Sequence, residues 1–261
     1  MSAPRPPAPR PAVLQRPGAP GDQRFADLAV AEMFDAIHAS MLGHERSQQK
    51  LIGPSEIGVP CERALLYKLA QADEPPRPPG WKPQVGTYCH AGMEGVFSTE
   101  ARQADGWLVE QRLHVGEIGG TEITGSCDLF QQGGLVNDWK FIGAKKLKAV
   151  KASNDPGPQY VKQAHLYGKG WEDDGYPVQV VMITFLPRDG ELADGYVWWA
   201  PYDRQVAVEA LKRANDRHDL LKQVGLPTAV SLFPYCTEFF CDWCNHDRQR
   251  ESAGSMFKQA R

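Results

Sequence analysis

The sequence predicts an α/β domain, and three observations carry that reading. Three short runs of alternating apolar residues follow one another after Gly106, two more come after residue 178, and amphipathic stretches of helical period stand around them. A chain of 261 residues can bury one such core with additions, so a single domain over residues 23–261 is expected behind an N-terminal tail.

The tail, residues 1–22, is rich in Pro, Ala and Arg and has no apolar period. It cannot bury enough surface to offset the entropy of ordering and is expected to be a disordered arm. The run FADLAVAEMFDAIHASML then places Leu28, Ala31, Met33, Phe34, Ile37 and Met41 at helical spacing. Ser55 stands where an N-cap would precede the helical segment CERALLYKLA, and RPPGWKPQ breaks the chain around Pro75 to Pro83. A helix is expected from about Val85 through GTYCHAGMEGVFSTEARQ, with His90 and Glu94 four apart on one face.

The runs WLVEQRLHV, TEITGSCDLF and GLVNDWKFI, separated by Gly-containing turns, read as three consecutive antiparallel strands. Beyond Pro158, YVKQAHLYGKGW reads as a helix, QVVMITFLP and GYVWWAPY as two strands, and RQVAVEALKRANDRHDLLKQV as a long amphipathic helix. The segment LFPYCTEFFCDWCNHDRQ that follows is dense in cysteine and aromatic residues.

A net charge of -3 and a pI near 6.2 exclude a protein that coats nucleic acid through bulk charge. Contact with DNA would have to come from a local patch. Lys140, Lys145, Lys146, Lys148 and Lys151 form one, with no acid among them, unless they are only a solvated lysine-rich face. No stretch approaches the roughly 18 apolar residues of a membrane helix, and the N-terminus has no apolar core of a secretory signal. A cytoplasmic protein is expected, whose six cysteines serve metal binding or burial rather than disulfides.

Asp128 closes the second predicted strand and Asp138 lies on the third, so their carboxylates can meet at one point. Hard oxygen ligands of this kind hold Mg²⁺ or Mn²⁺, which polarises a phosphate and acidifies an attacking water. Lys140, two residues past Asp138, returns to the same face of its strand. In isolation a D-x-K reads as a hairpin carboxylate with a lysine partner. The ordered set around it says more: G-T-x-x-H-x-x-x-E from Gly86, G-x-x-D from Gly125, V-x-D-x-K from Val136, and Q-x-x-x-Y at Gln163 and Tyr167.

In this ordered set the sequence resembles the RecB-like nucleases of the PD-(D/E)xK superfamily, over roughly Ser55 to Cys244. The resemblance implies a mixed central sheet flanked by helices. It implies that His90, Asp128, Asp138 and the backbone carbonyl of Trp139 ligate Mg or Mn, that Lys140 is the catalytic lysine, and that Gln163 and Tyr167 support the site or touch DNA. Glu94 stays outside the ligand set, since a helix carboxylate there could equally cap or pair. Cys127 replaces the proline of the superfamily name and reads as a small buried strand residue.

Cys61, Cys236, Cys241 and Cys244 offer four thiolates, enough for a 4Fe-4S cluster or a zinc ion that clamps segments around 55–70 and 232–248. Only one C-x-x-C pair is present, which disfavours a zinc ribbon. One distant cysteine with three nearer the C-terminus is the arrangement of the iron-sulfur RecB-like enzymes, although the trio here reads C-x4-C-x2-C where relatives often start with C-x2-C. Cys89 is a substitute ligand should one of the four not serve. The resemblance thus implies a DNA exonuclease acting at ends or on single strands, in a bacterial or phage-infected cytosol. With no G-x-x-x-x-G-K-[ST] loop it would act alone, as a homo-oligomer, or beside a separate helicase or recombinase. The alternative is a catalytically silent DNA-binding or scaffold protein of the same fold.

Overall fold

The computed structural model describes residues 23–43, 51–75, 80–237 and 241–259, so the arm expected at residues 1–22 lies outside it. The chain divides into two units, residues 1–49 with 76–85, and residues 50–75 with 86–261. In the first, α1 (Gln23–Gly43) is a helix, as its period predicts. Leu28 and Met33 are exposed on it.

The second unit is built on one five-stranded sheet with the strands in chain order. These are β1 (Trp107–Ile118), β2 (Thr121–Gln131), β3 (Leu135–Ile142), β4 (Val180–Pro187) and β5 (Tyr196–Pro201). β1, β2 and β3 pair antiparallel as expected, β3 and β4 run parallel, and β4 and β5 are antiparallel. The mixed sheet is therefore present. Parallel neighbours cannot be joined by a tight turn. The crossover from β3 to β4 runs through α6 (Ala144–Ser153) and α7 (Pro158–Asp173).

Around the sheet stand α2 (Pro54–Ile57), α3 (Glu62–Leu69), α4 (Trp81–Phe97, in this unit from Gly86), α5 (Glu100–Ala104), α8 (Arg204–Ser231) and α9 (Asp242–Gln259). The main core joins Leu113, Val115, Phe130, Val136, Val181, Ile183 and Phe185 of the sheet to Leu166 and Trp171 of α7 and Ala207, Leu211 and Ala214 of α8. Phe130 and Phe185 are fully buried, and each contributes about 2–3 kcal/mol by leaving water.

Several local expectations are corrected. Ser55 is not an N-cap: Gly53 caps α2 with Pro54 in the first turn, and the cap of α3 is Cys61, whose sulfur accepts from the Ala64 N–H. α4 begins at Trp81 rather than Val85, and the helix expected through Gln103 breaks at Ser98, where Thr99 caps α5. α6 and α9 were not expected as helices. α8 kinks at Gly225 (φ 73°, ψ 162°), two residues before Pro227.

α2 and α7 meet so closely that a Cβ on Gly58 would lie 2.5 Å from the carbonyl oxygen of Gln159. Gln159 in turn donates its side-chain amide to the Ser55 carbonyl at 2.7 Å. Backbone cannot yield as a flexible side chain can. Gly58→Ala is expected to cost about 1–3 kcal/mol, read as a lower urea midpoint with an unchanged slope.

Candidate active site

Sheet register puts three carboxylates in one row. Trp107 to Val109 and Gln111 to Leu113 of β1 pair in one register with Gln131 to Leu129 and Cys127 to Gly125 of β2, and Glu110 and Asp128 stand across from each other in the gap between these paired stretches. Leu129 pairs with Asn137, and one step further along the same register Asp128 faces Asp138. The ladder gives way there: the Trp139 N–H, instead of bonding a strand carbonyl, donates to Asp128 Oδ2 at 2.7 Å. Parallel pairing continues the row from Asp138 to Ile183 in the core.

Glu110 is the residue the sequence reading missed. Its φ is +50°, a left-handed value that glutamate rarely adopts and never needs in a regular strand. Leu108 and Leu113 belong to the same core although they are five positions apart, an odd offset, so the side-chain alternation of β1 reverses between them. Glu110 sits at that reversal. The available signal was weak: an acid between apolar residues in WLVEQRLHV, which alternation alone assigns to solvent.

α4 brings His90 to this row. Its Nδ1 lies 3.4 Å from Asp128 Oδ1 and 3.8 Å from Glu110 Oε1, and its ring meets Phe141 edge-on at 5.4 Å. Ligand atoms of His90, Glu110 and Asp128 all fall within 4.8 Å of one another, close enough to share one cation. The buried Nδ1 makes no well-formed hydrogen bond. Burial opposes charge on His90, but the side chains of Asp128 and Glu110 and the charge of Asp138 outweigh it and push the imidazole up to about 9. A potential that holds a proton on histidine is one that attracts a metal ion.

Asp138 is placed differently from the expected ligand set. It is 1% exposed, and its carboxylate is turned to the Lys140 ammonium in an ion pair. Burial pushes the Asp138 carboxyl up to about 6, with Lys140 opposing and Asp128 adding. Burial works against the charge on Lys140, yet Asp138 and Asp128 raise its ammonium above the ordinary value. Lys140 also donates to Gln163 Oε1 at 3.2 Å.

Gln163 and Tyr167 are buried on α7, one turn apart, Gln163 against Lys140 of β3 and Tyr167 against Gly125 of β2. Burial, with Asp138 and Asp128 adding, raises the Tyr167 hydroxyl well above its usual range. Gly125 of the G-x-x-D motif is glycine for a steric reason: a Cβ there would lie 2.8 Å from the Pro54 ring and 3.1 Å from Tyr167 Oη. Trp139 is buried beside Phe97, 5.8 Å between ring centres. Glu94 is exposed on α4 and Cys127 is a buried strand residue.

A second constellation forms where α3 meets α9. The sulfurs of Cys61, Cys236, Cys241 and Cys244 lie within 4.8 Å of one another; Cys61 Sγ is 3.6 Å from Cys244 Sγ and 3.7 Å from Cys241 Sγ. Cys89 is not among them. Burial raises the thiol of Cys61 and pushes that of Cys241 up to about 11, so a bound cation would have to displace protons. The donor chemistry, four soft sulfurs at a half-buried point, fits a thiolate-bound metal centre.

Arg63 fastens the same junction. It donates to the carbonyls of Val230 (3.1 Å) and Phe233 (3.2 Å), pairs with Asp247 at 2.6 Å, and lies 4.1 Å above the Tyr235 ring. Tyr67 donates to Asp247 at 2.9 Å and stacks on Trp243 with ring centres 4.4 Å apart.

No protein-family profile matches the chain, and no curated protein matches it. Among solved structures it is similar to an alkaline exonuclease from Laribacter hongkongensis, at 11% identity and a TM-score of 0.47, covering 76% of this chain and 95% of that one. The same exonuclease in complex with dAMP matches at 12% identity and a TM-score of 0.45, over 75% and 93% of the two chains. A protein described as a candidate exonuclease from Eubacterium rectale matches at 14% identity and a TM-score of 0.46, over 78% and 91%.

Truncating Arg63 would strand Asp247 with both side chains largely buried. Arg63→Ala is expected to destabilise the protein by on the order of 3 kcal/mol, measured by urea unfolding, while Arg63→Lys recovers only part because it cannot span both carbonyls and the carboxylate.

Proposed function

We propose that the chain is a metal-dependent DNA nuclease of the RecB-like PD-(D/E)xK kind, hydrolysing phosphodiester bonds at DNA ends or in single strands. The observation that carries this reading is the row Glu110, Asp128, Asp138 with His90 above it and Lys140 beside it. Carboxylates gathered in a nearly dry site next to one lysine are costly for folding and suited to phosphate chemistry.

In this reading His90, Glu110 and Asp128 hold Mg²⁺ or Mn²⁺, with Asp138 and the Trp139 carbonyl available to complete the shell. The metal, when bound, supplies Lewis acidity toward the phosphate and acidifies a water. The chain's own residues do the rest. Asp128 is oriented by the Trp139 N–H. Lys140, held by Asp138 and Gln163, places its ammonium where charge develops on the scissile phosphate. Tyr167 and Gly125 lock the helix-to-strand spacing that keeps Gln163 in reach.

The cysteine centre is assigned, from the pattern of one distant and three clustered thiols, to a 4Fe-4S cluster that joins the segments around 55–70 and 232–248. A second reading has a specific observation behind it. Sulfurs 3.6–3.7 Å apart match thiolates on one tetrahedral ion, where bonds of about 2.3 Å give edges of about 3.8 Å, whereas four irons would spread them. DNA is the partner, with a separate helicase or recombinase, or a second copy of the chain, as further ones. No helix among the described residues is long and apolar enough to cross a membrane.

The test is cleavage of end-labelled linear and circular DNA, single- and double-stranded, by anaerobically purified protein with Mn²⁺, Mg²⁺ or EDTA. Metal-dependent loss of linear DNA with circles spared is expected; no cleavage under any condition would leave the silent alternative. Asp138→Asn and Lys140→Ala should each lower the rate by on the order of 10²-fold or more, and Lys140→Ala should also lower the thermal midpoint because it leaves the buried Asp138 carboxylate unpaired. Metal analysis with absorbance near 400 nm decides the second centre: brown protein with about four irons per chain supports the cluster, and colourless protein with one zinc the single ion.

A further inference from the structure

The residues from 140 to 153 hold five lysines and no acid, in a chain whose net charge is -3. All but Lys140 lie exposed on α6, which leaves β3 just beyond the candidate site. The lysines of α6 do not share one environment. Lys148 and Lys151 line a groove that Asp189 and Asp194 also line. Lys146 points the other way and donates to the hydroxyl of Tyr160 at 2.9 Å.

Tyr160 belongs to the first turn of α7, one turn before Gln163 and two before Tyr167, on the side that meets Lys140. Its ring has two ammoniums close to it. Lys140 Nζ is 4.9 Å from the ring centre and Lys146 Nζ is 4.8 Å from it. Lys140 already has its counter-charge in Asp138, whereas Lys146 forms no ion pair among the described residues; the aromatic face offsets only part of its charge, and an anion from outside is needed to complete it. Neighbouring phosphates of one nucleic-acid strand have the charge and the reach to do so.

We propose that Lys146 and Tyr160 form a phosphate-binding step next to the scissile position, so that the substrate strand passes from Lys140 across Tyr160 onto the N-terminal turn of α6. The inference rests on the nuclease reading and assigns it a strand path. Lys146 holds the adjacent phosphate as a point charge, and the Tyr160 hydroxyl keeps that ammonium in place. The half-buried ring gives a base or sugar a flat surface at the same point. The start of α6 adds its own partial positive charge.

Fluorescence anisotropy of a labelled single-stranded oligonucleotide, with EDTA present and at several salt concentrations, tests this on the whole protein. Lys146→Ala is expected to weaken binding about 5-fold at ~0.1 M salt and to make the plot of log affinity against log salt shallower by about 0.7, the loss of one phosphate contact. Lys146→Arg should restore the slope, Tyr160→Phe should weaken binding by less with the slope kept, and Lys148→Ala should match wild type. Equal losses from Lys146→Ala and Lys148→Ala, or none from either, would overturn the step. If wild type cleaves DNA and Lys146→Ala binds unchanged, only the step falls; if wild type neither binds nor cleaves, the nuclease reading falls and takes the step with it.

Discussion

The interaction on which the rest of this structure depends is the repulsion within a row of three carboxylates at the middle of a sheet. Glu110 stands across from Asp128 in a gap of the β1–β2 pairing, and Asp138 lies one step past the paired residues of β2 and β3, positions where like charges are destabilising. Asp128 and Asp138 are almost wholly buried, so water does little to screen them. Every nearby feature works to offset that charge: the Trp139 N–H on Asp128, the Lys140 ammonium on Asp138, and the histidine set over the row. Lys140 is then held in turn by Gln163, which ties α7 to the same electrostatic problem.

Backbone strain enters by the same route. A glutamate at φ +50° in a strand costs on the order of 1 kcal/mol or more and persists only where its surroundings over-determine it. A regular strand would have sent this side chain to the opposite face. The reversal in β1 thus trades local comfort for a carboxylate within 4.8 Å of ligand atoms of His90 and Asp128. The glycine at position 125 makes the complementary concession, giving up a side chain so that Pro54 and Tyr167 can close over the strand.

How far the sequence could be read followed the range of the interactions. Strands and the longest helices were legible because alternation and the 3.6-residue period are local signals; β1 to β5, α7 and α8 all fell where their patterns put them. α6 was not, because its lysines hide the two buried positions, Leu147 and Val150, that hold it to the sheet. Asp128, Asp138, Lys140, Gln163 and Tyr167 could be picked out by order and spacing, and the structure brings them together. What spacing could not convey was which partner each would take. Asp138 turns to Lys140, and Glu110 stands beside His90 and Asp128 through a backbone reversal that no residue type announces. The four cysteines were found by counting, but the Arg63, Tyr67 and Asp247 lock around them joins residues some 180 positions apart and leaves no local trace.

That separation gives the cysteine junction a place in time as well as in space. Cys61 and Cys244 are 183 residues apart, while His90 through Tyr167 lie wholly between them. A ribosome adding about 5–20 residues per second delivers the whole carboxylate row well before the last thiol emerges. During that interval α3 has neither its sulfur partners nor Asp247. The junction therefore closes later than the carboxylate row can gather, and a nascent chain that stalls before residue 241 would carry the parts of the proposed catalytic centre without the fastening that holds its outer helices.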